Sequence, residues 1–176
     1  ASDGSKGQED LLLEDIRHES ANEEAKMALA MAGHISSEVL LDELIQLSVK
    51  PESLAAIRLI PMVLVAWANH DVSESERLTV LRAAGEEGLR PDGAASSLLE
   101  HWLRTEPQPE LDDAWRRYVQ ELLGTLTTDA QLKLREEIMA RARAVAKSSR
   151  GLLGFGRIGP EDNRVLNSLE EAFDQP

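Results

Sequence analysis

The chain contains no cysteine. That absence removes disulfides, thiolate nucleophiles, thiolate-ligated zinc and iron–sulfur clusters together. Aromatic side chains are nearly as scarce, with three Trp, one Tyr and two Phe in 176 residues. Platforms that stack single-stranded nucleic acid need more of them. Positive charge is short as well: 19 Lys and Arg stand against 32 Asp and Glu, a net charge of −13. Holding a phosphate backbone requires clustered cations that displace counterions, so no nucleic-acid partner is expected. The longest apolar run, Leu59–Ala68, is half the length of about 20 residues that spans a bilayer. No membrane insertion is expected. Residues 1–10, ASDGSKGQED, have no apolar core of the kind a secretion signal carries. A cytoplasmic location is the expectation, since a chain without disulfides suits a reducing compartment.

What is present reads as helix. From Leu111 to Leu126 the apolar residues Leu111, Ala114, Trp115, Tyr118, Val119, Leu122, Leu123 and Leu126 recur at helical spacing. Asp112, Asp113, Arg116, Arg117, Gln120 and Glu121 fill the opposite face. A second helix is expected over 128–148 with Thr127 or Thr128 as its cap. A last one starts at Pro160, where a missing N–H costs nothing. Earlier helices are expected around 23–32, ended by Gly33, and around 38–47, capped by Ser36 or Ser37. Pro91 is expected to open another, which stops before the stiff Glu106-Pro107-Gln108-Pro109 connector.

The segment 51–69 is the expected centre, because it is apolar on all sides from Leu59 onward and such a helix must be surrounded. Pro61 removes the bond to the Ile57 carbonyl and should kink or split it. No stretch alternates with period two. The fold class expected is all-α, a compact bundle of about seven to nine helices. Residues 1–9 read as a disordered tail, 10–50 as an N-terminal helical extension and 51–174 as the main helical domain.

The acidic surplus is uneven. Residues 1–50 hold eleven acids and four bases, whereas 101–150 hold eight and nine. Lys133, Arg135, Arg141, Arg143, Lys147 and Arg150 gather late in the 128–148 region. They form either a strip for an anionic partner or the cations that a helix favours near its C-terminus.

Tests for chemistry return little. Gly151-Leu152-Leu153-Gly154-Phe155-Gly156-Arg157 has glycines but lacks the Lys-Ser/Thr that a phosphate loop needs. It reads as a flexible loop. His18, His34, His70 and His101 are scattered, and no nucleophile elbow occurs. No catalytic residue and no cofactor are expected. One loop stands apart. Asn69-His70-Asp71-Val72-Ser73-Glu74-Ser75-Glu76 places oxygen-bearing side chains at alternate positions, yet Glu74 and Val80 replace the Gly and Glu of a calcium hand. Its Ser73 and Glu76 form the pattern of a capping box. Ile158-Gly159-Pro160-Glu161-Asp162 can be laid over Val72-Ser73-Glu74-Ser75-Glu76 as a weak internal repeat. A looser divalent-cation site of carboxylates and waters is the alternative to plain capping here.

The stretch Val65-Ala66-Trp67-Ala68-Asn69-His70-Asp71-Val72-Ser73-Glu74-Ser75-Glu76-Arg77 resembles the signature of the tellurite-resistance TerB-like family. In that family a helix ends in an Ala-Asp-Gly turn, followed by a Ser-x-x-Glu-Arg helix start. Gly156-Arg157-Ile158-Gly159-Pro160-Glu161-Asp162 with Val165-Leu166 is similar to the family's final turn and helix. The likeness covers about residues 51–174. It implies a helical fold with pseudo-twofold halves and an acidic surface around the two turns. That surface would serve a protein partner in bacterial stress responses or a weakly held divalent cation. No enzymatic activity is implied. Asp71, Glu74, Glu76, Glu161 and Asp162 are the carboxylates that would ligate the metal. The family's Asp-Gly is replaced by Asn69-His70, with Asp71 displaced by two positions. His70 is therefore expected to make the turn that Gly would make, with positive φ.

Overall fold

The computed structural model describes residues 3–149 and 157–174. Among these the chain is all-α. It has eight α-helices, α1 (Asp3–Gly33), α2 (Glu38–Gln46), α3 (Ile60–Ala66), α4 (Glu74–Glu86), α5 (Ala94–Arg104), α6 (Pro109–Gly124), α7 (Thr128–Ser148) and α8 (Pro160–Glu171). A 3₁₀ helix, Pro51–Leu59, precedes α3. The chain divides into two compact units, Ala1–Pro51 and Glu52–Pro176. The glycine-rich stretch expected as a loop lies outside the described residues except for Arg157.

In the first unit, α1 starts at Asp3, inside the segment expected as a disordered tail. Nothing between Asp3 and Leu11 breaks a helix except the conformational freedom of Gly4 and Gly7, and propagation from an existing helix is far easier than nucleation. Ser37 caps α2 by accepting the Leu40 N–H at 3.2 Å. Leu40, Leu41 and Leu44 of α2 are buried, as is Leu29 of α1.

Three helices end in the same way. His34, Ser48 and Gly88 take left-handed φ of 52°, 60° and 86°. The next residue's N–H then returns to a carbonyl five positions back: Ile35 to Ala30, Val49 to Leu44, and Leu89 to Ala84, at 2.9–3.1 Å. In this arrangement an apolar residue after the turn folds over the helix end, and Ile35, Val49 and Leu89 are all buried. The helix ends at Gly33 as expected, and His34, the next residue, makes the left-handed turn.

The second unit is built around α3. Pro61 divides the apolar segment as expected: the 3₁₀ helix stops at Leu59 and α3 begins at Ile60 with the proline in its first turn. Ile60, Pro61, Met62, Val63, Val65 and Ala66 are all buried. Helices α4, α5, α6, α7 and α8 all pack against α3. From α6 come Leu111, Ala114, Trp115, Val119 and Leu123. Trp115 meets Phe173 edge to face, with centroids 6.0 Å apart and planes at 72°. Met139, Ala142, Val145 and Ala146 face inward from α7, and Leu166 and Leu169 from α8. Pro91 does not open α5. It sits in a turn closed by Gly93 N–H to the Arg90 carbonyl, and the helix begins at Ala94.

Truncating Trp115 to Ala should lower unfolding free energy by about 3–5 kcal/mol, the usual cost of emptying a large core site. Leu132→Ala, at a residue 53 % exposed on α7, should change it by less than about 0.5 kcal/mol. Urea denaturation of the two variants checks both values.

Candidate functional site

The two turns singled out in the sequence become the N-termini of α4 and α8. At α4 the capping box is complete: Ser73 Oγ accepts the Glu76 N–H at 3.2 Å, and Glu76 Oε1 accepts the Ser73 N–H at 2.9 Å. At α8, Gly159 is the cap and Pro160 the first helical residue. Counting from each cap, Glu76 and Asp162 occupy the same position, the third of the helix. Both are buried, 4 % and 1 % exposed. Ser149 at the end of α7 donates its Oγ–H to Asp162 Oδ2 at 3.3 Å.

Glu76 feels opposing influences. Burial pushes its carboxyl above the usual range, and the hydrogen bonds from Ser73 pull it back. The negative charges of Asp162 and Asp71 raise it further. The fold thus brings two of the other candidate carboxylates, Asp71 and Asp162, within electrostatic reach of Glu76. Glu74 and Glu161 are exposed. Glu74 is engaged by Arg77, whose Nε and Nη2 donate at 3.0 and 3.2 Å, and this contact holds its carboxyl below the usual range. Among the described residues, no three His, Asp or Glu side chains form a group that could hold a metal ion.

His70 has the expected left-handed backbone, φ 59°. Its N–H donates to the Trp67 carbonyl at 2.8 Å, and its Nδ1 lies 2.5 Å from Glu106 Oε1. Trp67 Nε1–H donates to the Trp102 carbonyl at 2.7 Å. The last turn of α5 and the connector that follows it are therefore each tied to this turn by one contact. Neither Glu106 nor Trp102 was legible as a partner, because both contacts cross more than thirty residues.

The basic residues of α7 are largely engaged within the second unit. Arg135 bonds Asp174 at 2.8 Å and Glu170 at 3.3 Å, Arg143 lies 3.8 Å from Glu170, and Arg141 pairs with Glu87. Arg150 lies outside the described residues. Beside the Arg141–Glu87 pair, Pro61, Met62, Leu134 and Ile138 line a cavity of about 30 Å³, room for roughly one water.

A different surface was missed in the sequence. Every residue from 6 to 24 of α1 is exposed. Among the described residues, six of the nine exposed large apolar side chains lie on this helix: Leu11, Leu12, Leu13, Ile16, Met27 and Met31. Over residues 6–24 the acids Glu9, Asp10, Glu14, Asp15, Glu19, Glu23 and Glu24 outnumber two bases, Lys6 and Arg17. The signal was the Leu11-Leu12-Leu13 run, after which Ile16 is the one large apolar residue before Met27, so no continuous apolar stripe leads from it along the helix.

No protein-family model matches the chain, and no match was found among curated proteins or solved structures.

The pH behaviour of Glu76 follows from its raised pKa. The folded state holds that proton more tightly than the unfolded state, so the associated stability is present below the ordinary carboxylate range. It is lost as pH rises through the raised pKa. Glu76→Gln keeps an oxygen for the Ser73 N–H and removes the buried charge. It should raise the melting temperature at neutral pH, with the gain vanishing below the ordinary carboxylate range. Ser73→Ala should cost about 1 kcal/mol. Thermal melts across pH test both.

Proposed function

We propose that the protein is a non-enzymatic, acidic helical interaction module of TerB-like type that uses an acidic face to hold a protein partner. The observation that carries this reading is the exposed acidic stretch of α1, with seven carboxylates against two bases over residues 6–24 and no buried position among them. Charges on such a surface act on a partner by steering its approach and fixing its orientation. A cytoplasmic, stress-associated setting accompanies the family resemblance. Affinity capture from the native cell tests the reading. A variant with Glu9, Asp10, Glu14 and Asp15 changed to their amides should retain its partner at least about tenfold less well, and raised salt should weaken the wild-type complex. Equal retention by both proteins would overturn the role of this face.

A second reading, a divalent-cation-binding protein, is favoured by one observation, the approach of Asp71, Glu76 and Asp162 at two matching helix starts. These residues do not form a metal-holding group as arranged, so a cation would have to draw the turn closer. Calorimetric titration with Ca²⁺, Mg²⁺, Mn²⁺ and Zn²⁺ decides it. Heat of binding that disappears in Asp71→Asn/Glu76→Gln supports this reading. Heat that is absent, or unchanged in the variant, excludes a cation at this turn.

A further inference from the structure

We infer that the leucine-rich N-terminal part of α1 is a helical docking strand for an amphipathic helix of a partner protein that carries Lys and Arg beside its apolar stripe. The inference rests on the interaction-module reading and names the surface and the partner chemistry. Leu12 and Ile16 are one helical turn apart, and Leu13 and Ile16 are three residues apart, so these three share a face. All of them are at least half exposed. Most helical stability in proteins comes from packing an apolar face rather than from intrinsic propensity, and contiguous exposed leucine marks a contact surface.

Charge decides what covers it. Glu9, Asp10, Glu14 and Asp15 interleave with the apolar residues. A second copy of α1 laid on this face would bring like charges together along its whole length, and like charges at facing helical positions destabilise a pair. An anionic lipid surface is repelled for the same reason. A helix with leucines on one stripe and lysines or arginines at its edges satisfies both the apolar strip and the carboxylates.

The test uses the full chain and a synthetic helical peptide with a Leu stripe flanked by Lys, compared with the same peptide flanked by Glu. Binding is followed by fluorescence anisotropy. The Lys peptide should bind at least about tenfold more tightly than the Glu peptide. Leu12→Ser/Ile16→Ser should weaken the Lys peptide by roughly tenfold or more, whereas Leu132→Ser should not. Since the substituted side chains are exposed, circular dichroism should show both variants folded. Binding unaffected by Leu12→Ser/Ile16→Ser overturns the inference. So does self-association in sedimentation that this variant abolishes, or binding to phosphatidylcholine/phosphatidylglycerol vesicles through the same residues. If native-partner capture depends on the α1 carboxylates but not on Leu12 and Ile16, the interaction-module reading stands and the docking strand does not. If neither matters, both fall.

Discussion

The second unit depends on one constraint, that a short segment with no polar face must be enclosed. Leu59, Ile60, Met62, Val63, Val65 and Ala66 leave α3 no side on which to meet water. Each buried aliphatic side chain is worth about 1.5–3 kcal/mol relative to exposure, so the segment is driven inward and its neighbours must cover it. Pro61 shapes how this happens. Placed in the first turn of α3, it asks for no hydrogen bond it cannot make, and the preceding residues take a tighter 3₁₀ path. The five helices that pack on α3 complete the enclosure.

That enclosure places the two helix starts. With α4 and α8 both packed on α3, the third residue of each helix turns inward, and Glu76 and Asp162 are buried as a result. A carboxylate in the first turn is favoured by the helix dipole and by its cap hydrogen bonds. Burial and neighbouring negative charge oppose it. At Glu76 burial is the larger effect, which is why its carboxyl moves up despite a complete capping box. Local helix chemistry and global packing thus disagree at this residue. Such disagreement is where function or strain collects in a fold that is otherwise consistent.

Much of this was readable along the chain, for reasons that differ by element. The α7 and α8 starts were legible because threonine and proline signals at a helix N-terminus are local, and they fall at Thr128 and Pro160, whereas α6, expected from Leu111, begins at Pro109, the last residue of the expected connector. The split at Pro61 was legible because backbone sterics act on single residues, whereas the positive φ of His70 was expected only because it stands where the resembled signature has Gly. Pro91 was misplaced because proline serves equally in a turn, and Gly93 and Ala94 decided the matter three residues later. The approach of Glu76 to Asp162 was suggested only by a weak repeat, since no periodicity reports which helix ends meet. The first turns of α1 were hidden by composition, because short polar residues and two glycines over 1–9 read as a tail. Residues 10–50 read as a helical extension, but its exposed apolar surface is signalled only by Leu11–Leu13 and Ile16.

The distribution of charge acquires a physical meaning from these placements. In the second unit the α7 arginines meet Glu87, Glu170 and Asp174, so acids and bases there largely answer one another. The first fifty residues have eleven acids against four bases, and Lys26 is already shared among Glu23, Glu38 and Asp42 at 2.7–3.6 Å. Glu9, Asp10, Glu14, Asp15, Glu19 and Glu24 are exposed on α1, where screening limits their reach to about 8–10 Å at physiological salt. At that range they can choose the sign of what approaches but supply little affinity. Affinity has to come from apolar area, and on this helix the leucines lie among the carboxylates. A partner selected by the charge would therefore meet the apolar contact at the same place.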